Sequence, residues 1–163
     1  MTEHITHEIG AVFDEHSAVL VLGTMPSPKS REQGFYYAHK QNRFWYVMAE
    51  LFGEKLPMGK EERRAFALSH RIALWDVLSE CEIEGASDSS IREPKPNDIP
   101  SLLEKAHIKA VFTTGKTAEK YYRRFFGNVD TPFFALPSTS PANAKMKLPD
   151  LVSVYKIILE YLD

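Results

Sequence analysis

Short apolar runs alternate with amphipathic stretches along this chain, and the alternation predicts its secondary structure. Residues 18–24, Ala-Val-Leu-Val-Leu-Gly-Thr, are rich in β-branched residues and end near a glycine, which is typical of a strand buried on both faces. Similar short runs predict three further strands, at 72–75, 108–114 and 132–136. Apolar residues at helical spacing predict helices at about 44–52, 61–69, 98–107, 117–126 and 151–162.

This order of elements predicts the fold class. Strands that alternate with helices pair in parallel through right-handed crossovers. We therefore expect one domain over residues 1–163, an α/β fold with a three-layer α/β/α sandwich around a central parallel sheet of about four strands. The polar N-terminus is expected to fray, and the stretch 84–97 is interpreted as a loop. Since ligands bind at the carboxyl ends of such strands, the loops after residues 24, 114 and 136 should lie together.

Composition narrows the class of protein further. The 163 residues are 44% hydrophobic and 26% charged, enough apolar material for a packed core. The single cysteine excludes an internal disulfide, and no apolar run approaches the ~18 residues of a membrane helix, so we expect a cytoplasmic protein. The net charge of −2 does not decide whether the partner is a polyanion, but the cations gather in three groups. The groups are Lys29, Arg31, Lys40 and Arg43; Lys116, Lys120, Arg123 and Arg124; and Lys145 and Lys147.

The loop after the first predicted strand carries candidate chemistry in two stretches. Residues 23–30 are Gly-Thr-Met-Pro-Ser-Pro-Lys-Ser, and residues 34–45 are Gly-Phe-Tyr-Tyr-Ala-His-Lys-Gln-Asn-Arg-Phe-Trp. Small hydroxyls donate to phosphate, and flat rings stack on nucleobases. Asn42 carries a donor and an acceptor on one planar amide, but an asparagine just before a helix is also a typical cap. Both interpretations of Asn42 stay open from the residues alone.

The loop after the last predicted strand is unusually polar. Residues 136–145 are Leu-Pro-Ser-Thr-Ser-Pro-Ala-Asn-Ala-Lys. Three hydroxyls, two prolines and one amide give a rigid segment whose donors suit a phosphodiester backbone. An ordinary turn is the alternative interpretation.

Both loops resemble those of a known family. The first resembles the catalytic region of the uracil-DNA glycosylase superfamily, specifically its hypoxanthine-DNA glycosylase branch. Members of that branch carry a strand ending in Gly-Ser/Thr-x-Pro-Ser, then Lys-Ser, then Gly-Phe-Tyr-Tyr-x-His-x-x-Asn-Arg-Phe-Trp, and this chain has all of it. Residues 137–143 resemble the second motif of the branch, and residues 74–76 and 88–91 also resemble it. The resemblance runs from about residue 19 to the C-terminus.

The resemblance implies a role for each matching residue. Asn42 matches the residue thought to be catalytic in the hypoxanthine branch. The residues expected to contact the base are Gly23, Thr24, Met25, Phe35, Tyr37 and Thr114, with Tyr37 as the first stacking ring and Phe35 as the reserve. The residues expected to contact the DNA backbone are Ser27, Lys29, Ser138, Ser140, Asn143 and Lys145.

Three positions depart from related branches. Met25 stands where the main uracil branch has a catalytic aspartate and the mismatch-specific branch an asparagine, and methionine cannot activate water. Ser138 stands where the main uracil branch has a histidine, and Thr114 where several relatives have an asparagine that would read the base. Asn42 is then the best remaining catalytic candidate, and the preference among hypoxanthine, uracil and xanthine stays open.

The family implies a monofunctional DNA glycosylase of base excision repair. It would hydrolyse the N-glycosidic bond of a flipped, deaminated base, hypoxanthine first, and leave an abasic site. A mismatch-specific uracil-DNA glycosylase and a non-catalytic DNA-damage-binding module are the alternatives. We expect a monomer whose partner is DNA containing a deaminated base, with no membrane, no cofactor and no metal. Only His4 and His7 have metal-ligand spacing, and they lie in the polar N-terminus.

Overall fold

The computed structural model describes residues 2–7, 9–26, 28–85 and 87–162. Along the chain, the strands and helices are β1 (Thr2–Thr6), β2 (Val19–Gly23), α1 (Pro28–Gln33), α2 (Phe44–Phe52), α3 (Gly59–Ser69), β3 (Ile72–Asp76), β4 (Leu78–Glu84), β5 (Ser87–Pro96), α4 (Ile99–Ala106), β6 (Ala110–Thr114), α5 (Lys116–Phe126), β7 (Phe133–Leu136) and α6 (Leu148–Tyr155). A 3-10 helix (Lys156–Tyr161) continues α6. None of these helices is long and apolar enough to span a bilayer.

The central sheet is parallel and has the strand order β3-β2-β6-β7. All five residues of β2 are buried, because this strand is covered on both faces. Val19 and Val21 point into one apolar core, and Leu20 and Leu22 point into the other. The prediction of a three-layer sandwich with four parallel strands is therefore confirmed.

Helices cover each face of the central sheet. On one face α2, α3 and α6 supply Phe44, Trp45, Phe66 and Leu151 to the core. On the other face α4 and α5 pack together with a second, smaller sheet. The end of α2 follows from its sequence, since Gly53 adopts the left-handed conformation that glycine tolerates best.

The second sheet is antiparallel, with the order β1-β4-β5. Two predictions were therefore wrong: residues 84–97 are largely a strand, and the N-terminal residues 2–6 pair with β4 rather than fray. The reason is that each strand buries one side chain, Ile5 in β1 and Ile91 in β5, so neither shows apolar alternation. The short helix α1 also lies within a segment that was predicted to be loop.

Candidate active site

A cavity of about 610 Å³ lies at the carboxyl edge of the central sheet. The loops after β2 and β7 and the last residue of β6 meet there, at the strand ends where the sequence predicts a ligand site. Eight of the expected site residues line it: Gly23, Thr24, Met25, Tyr37, Asn42, Thr114, Ser138 and Ser140. Asp76 and Thr139 line it as well, and the second sheet contributes Ile5 and Ile83 to one wall.

The amide of Asn42 serves the fold and lines the cavity at the same time. Its Oδ1 accepts a hydrogen bond from the backbone N–H of Phe44 at 2.9 Å, at the start of α2. The same oxygen accepts a second hydrogen bond from Thr139 Oγ1 at 2.8 Å. An amide oxygen has two lone pairs, so both are engaged. The N-cap residue of α2 is Arg43, and Asn42 precedes it, so Asn42 supports the start of the helix from outside the cap position. The amide nitrogen is the part of Asn42 that remains to contact a ligand.

Arg43 fixes the loop after β7 through hydrogen bonds to its backbone carbonyl oxygens. Its guanidinium donates to the carbonyl oxygens of Thr139 at 3.3 Å, Ser140 at 2.8 Å and Asn143 at 2.9 Å, and also to that of Met146. Arg43 belongs to one of the three groups of cations in the sequence. The structure directs the Arg43 guanidinium to four carbonyl oxygens of the loop, so that one charged fork fixes the backbone of residues 139–146.

The two serine hydroxyls of this loop can still donate their hydrogens to a ligand. Ser138 Oγ accepts from the backbone N–H of Ser140 at 3.0 Å, and Ser140 Oγ accepts from the backbone N–H of Ala142 at 3.1 Å. A hydroxyl that accepts through a lone pair can still donate its own proton. The two serines therefore offer oriented O–H donors along the cavity rim.

Tyr37 forms an aromatic wall of the cavity. Its ring stacks on Phe44 with centroids 3.9 Å apart and a 12° angle between the rings, so Phe44 covers one face of the ring. Tyr37 Oη and Thr114 Oγ1 are 3.1 Å apart, and Thr114 donates to the carbonyl of Leu22 at 3.3 Å. Burial, and then the Asp76 carboxylate, raise the pKa of Tyr37, so the phenol stays neutral at neutral pH.

Asp76 is the buried acidic group of the cavity, at the last position of β3. Its Oδ2 is 2.8 Å from His7 Nε2, and the two side chains are only 5% and 2% exposed. Its Oδ1 lies against Gly23, where an added Cβ would come within 2.5 Å of that oxygen. Glycine at position 23 is therefore required by the carboxylate beside it.

The remaining expected residues lie elsewhere or are not described. Phe35 is 3% exposed in the core and packs against Trp45 and Tyr36, so it does not line the cavity. The Asn143 side chain donates to the carbonyl of Ser138 at 3.0 Å and so braces the loop. Lys145 is exposed outside the cavity lining. Ser27 and the side chain of Lys29 lie outside the described residues.

Four residues that make contacts at the cavity or in its loops were given no site role in the sequence analysis: His7, Arg43, Asp76 and Thr139. Three of them, Arg43, Asp76 and Thr139, lie in segments that resemble the family. Asp76 could have been found, because it directly follows the predicted strand 72–75 at the ligand-binding edge. The other three act through contacts between distant segments, which no local pattern reports. Within residues 2–7, 9–26, 28–85 and 87–162, no group of three or more His, Cys, Asp or Glu side chains could hold a metal.

Known proteins resemble this chain over most of its length. The model of the uracil DNA glycosylase superfamily matches residues 11–160. A protein named hypoxanthine DNA glycosylase from Methanosarcina acetivorans is 34% identical over 138 residues, which are 83% of this chain and 86% of that protein. A protein of the same name from Methanosarcina barkeri is 33% identical over 112 residues, covering 68% of this chain and 71% of that protein.

A solved structure agrees with the fold. The solution NMR structure of a candidate uracil DNA glycosylase from Methanosarcina acetivorans superposes with a TM-score of 0.80 at 28% identity, covering 97% of this chain and 99% of that one. The shared parallel sheet, the cavity at its carboxyl edge and the family match over residues 11–160 agree with one another. This chain belongs to the uracil DNA glycosylase superfamily.

Proposed function

We propose that this chain is a monofunctional DNA glycosylase that hydrolyses the N-glycosidic bond of a flipped, deaminated base, with hypoxanthine as its first substrate. The observation that supports it most is the cavity bounded by the Tyr37 ring, the Asn42 amide and the serine hydroxyls of the loop after β7. Its volume of about 610 Å³ lies within the usual range of small-molecule sites. The two relatives named hypoxanthine DNA glycosylase support the choice of base.

The base must leave the duplex before it can be cut. Flipping costs a few kcal/mol, and the cost is smaller for a mispaired base such as hypoxanthine. In the proposed complex, the face of the Tyr37 ring opposite Phe44 stacks on the base. The O–H groups of Ser138 and Ser140 donate to the phosphates beside the extruded nucleotide. These contacts orient the sugar so that its anomeric carbon lies beside Asn42.

Asn42 acts through its amide nitrogen. Because its Oδ1 is engaged by Phe44 and Thr139, its N–H groups are left to hold the oxygen of the attacking water or the developing negative charge on the base. The sugar becomes positively charged as the bond breaks, and the DNA phosphates stabilise that charge. The described residues that line the cavity include no lysine, the side chain that forms an imine with a sugar aldehyde. The product is therefore an abasic site.

The enzyme would work on DNA as a monomer in the cytoplasm. Its single cysteine, Cys81, is a buried free thiol, which fits a reducing compartment. The expected partner is duplex DNA that carries one deaminated base.

One incision panel tests the proposal. Duplex oligonucleotides carrying a single deoxyinosine, deoxyuridine or deoxyxanthosine are incubated with the protein and then treated with alkali. We expect strand breakage at deoxyinosine above all. Breakage at deoxyuridine alone would indicate a mismatch-type uracil glycosylase, and tight binding without breakage would indicate a damage-binding module. Breakage before the alkali step would contradict monofunctional hydrolysis.

Two substitutions at Asn42 separate its structural role from its chemical role. Asn42→Ala removes the whole amide and should reduce excision by orders of magnitude while most DNA affinity is kept. Asn42→Asp keeps an oxygen for Phe44 and Thr139 but replaces the nitrogen, so it should fold well and still lose excision. Asn128→Ala, at an exposed asparagine just after α5, is the matched control. Full activity in either Asn42 variant would remove Asn42 from the mechanism.

A further inference from the structure

We infer that Asp76, positioned by His7, selects deaminated bases by accepting a hydrogen bond from the ring N–H that deamination creates. The inference rests on the proposed function and assigns its base specificity to a carboxylate. His7 belongs to the N-terminal segment, just beyond β1, and Asp76 ends β3 in the central sheet. The pair thus joins the N-terminal segment to the central sheet, and Asp76 lines the cavity.

The two oxygens of Asp76 have different surroundings. Oδ2 accepts a hydrogen bond from His7 Nε2 at 2.8 Å. Oδ1 points past Gly23, and no donor reaches it from the residues that the structure describes. Because His7 fixes the carboxylate from one side and Gly23 leaves room on the other, Oδ1 is presented to the cavity as an acceptor.

A second acceptor lies beside it. Thr114 donates its hydroxyl hydrogen to the carbonyl oxygen of Leu22, so Tyr37 is the donor in its contact with Thr114. The lone pairs of Tyr37 Oη therefore remain available to accept a hydrogen bond from a ligand. A Cβ on Gly23 would be 2.5 Å from Asp76 Oδ1 and 3.5 Å from Tyr37 Oη, so both oxygens lie around one point. This end of the cavity accepts hydrogen bonds and repels lone pairs.

That polarity distinguishes a deaminated base from its parent. Adenine has a lone pair at N1 and cytosine has one at N3, whereas hypoxanthine and uracil carry a hydrogen there. A carboxylate oxygen binds the N–H of the deaminated base and opposes the lone pair of the parent, and both contributions favour the damaged base. Guanine already has an N1–H, so this contact does not reject guanine.

The test compares excision of hypoxanthine with that of unsubstituted purine, which has no N1–H, from duplexes that differ only at that base. In the wild-type protein, kcat/KM should favour hypoxanthine. Asp76→Asn should reduce the hypoxanthine-to-purine ratio by about 100-fold, because an amide can present a donor instead. His7→Leu should reduce the ratio by about tenfold, since Asp76 then loses its fixed orientation.

Two further variants distinguish positioning from general damage. His7→Gln keeps an N–H donor near the position of Nε2 and should restore most of the ratio. The double variant His7→Leu/Asp76→Asn should have the ratio of Asp76→Asn alone, because His7 acts only through Asp76. The ratio compares two substrates on one preparation, so partial unfolding does not change it, and thermal unfolding curves verify folding.

The outcomes separate the inference from the proposed function. A wild-type protein that excises no deaminated base would overturn the proposed function. The other case is a wild-type protein that excises hypoxanthine while the hypoxanthine-to-purine ratio is unchanged in Asp76→Asn, or while the two substitutions are additive in the double variant. Either result would overturn only the role of the His7–Asp76 pair.

Discussion

Thr139 donates a hydrogen bond from its hydroxyl to Asn42 Oδ1 at 2.8 Å, and this contact fixes which end of the Asn42 amide faces the cavity. Thr139 is 1% exposed, and its hydroxyl hydrogen is used in the contact with Asn42. Its neighbours Ser138 and Ser140 point toward the cavity with hydroxyls that can donate. Of these three successive hydroxyl residues, Ser138 and Ser140 face the cavity, and Thr139 orients Asn42.

Thr139→Val should lower excision about tenfold with little change in DNA affinity. Valine has nearly the same shape as threonine but leaves one lone pair of Asn42 Oδ1 without a donor, and one such hydrogen bond is worth about 1.4 kcal/mol. Single-turnover rates at saturating DNA measure the effect, and Thr139→Ser, which keeps the hydroxyl, is the control. A faster Thr139→Val variant would indicate that the amide oxygen, rather than the nitrogen, contacts the water.

Arg43→Lys should loosen the loop after β7. A lysine ammonium cannot reach the four carbonyls that the guanidinium fork spans, so buried acceptors lose their donors. We expect the free energy of unfolding to fall by about 2 kcal/mol and the DNA dissociation constant to rise. Urea denaturation and fluorescence anisotropy measure the two quantities. Arg92→Lys, at an exposed site on β5, should match the wild type in both.

The sequence predicted those strands and helices whose buried residues recur in a regular pattern along the chain. The run that became β2 is buried at every position, and the helices that cover the central sheet show one apolar face, so these elements were recognised. The strands β1 and β5 bury a single residue each, and their pairing depends on backbone hydrogen bonds that any sequence can make. The second sheet therefore had no signal in the pattern.

The candidate site was predictable in its location but only partly in its orientation. The family motifs and the strand-end rule place Asn42, Tyr37 and Thr114 around one cavity. Which end of the Asn42 amide faces that cavity depends on Thr139, which lies 97 residues away along the chain. Phe35 and Tyr37 are both aromatic and lie two positions apart. Phe35 is nevertheless part of the core, whereas Tyr37 lines the cavity. Only the backbone conformation decides which of the two rings faces the cavity.

Gly23→Ala should disable the site by displacing Asp76. The new Cβ would come within 2.5 Å of Asp76 Oδ1, and His7 prevents the carboxylate from retreating. We expect a loss of about 1–3 kcal/mol of unfolding free energy from this overpacking, together with a large loss of excision. Gly10→Ala is the control, because nothing lies within 4 Å of a Cβ at position 10.

The double variant Gly23→Ala/Asp76→Ala distinguishes this clash from a general defect of β2. Removing the carboxylate removes the collision, so part of the lost stability should return while excision stays low. Melting temperatures and single-turnover rates of the four proteins in the cycle provide the comparison. If stability does not recover in the double variant, Asp76 is not the group that requires glycine at position 23.

Phenols whose pKa is raised by burial predict that stability falls in alkaline solution. Burial raises the pKa of five tyrosines above the ordinary value of 10.0: Tyr36, Tyr37, Tyr121, Tyr122 and Tyr155. The Asp76 carboxylate raises the pKa of Tyr36 and Tyr37 further. In the unfolded chain these phenols ionise near pH 10, whereas in the folded protein they stay neutral. Their contribution is thus fully present below that pH and is lost as the pH rises toward the folded values, at about 1.4 kcal/mol per pH unit for each phenol.

Urea denaturation at pH values from about 8 to 11 measures this loss. Tyr155→Phe should lower stability at neutral pH, because Tyr155 Oη donates to the carbonyl of Pro137. The same variant should make the alkaline decline less steep by the share of one phenol, about 1.4 kcal/mol per pH unit. Tyr46→Phe, at a side chain that is 44% exposed, should leave the decline unchanged. A stability that stays constant through pH 11 would mean that the unfolded chain gains nothing from ionising these phenols, and their assigned burial would have to be abandoned.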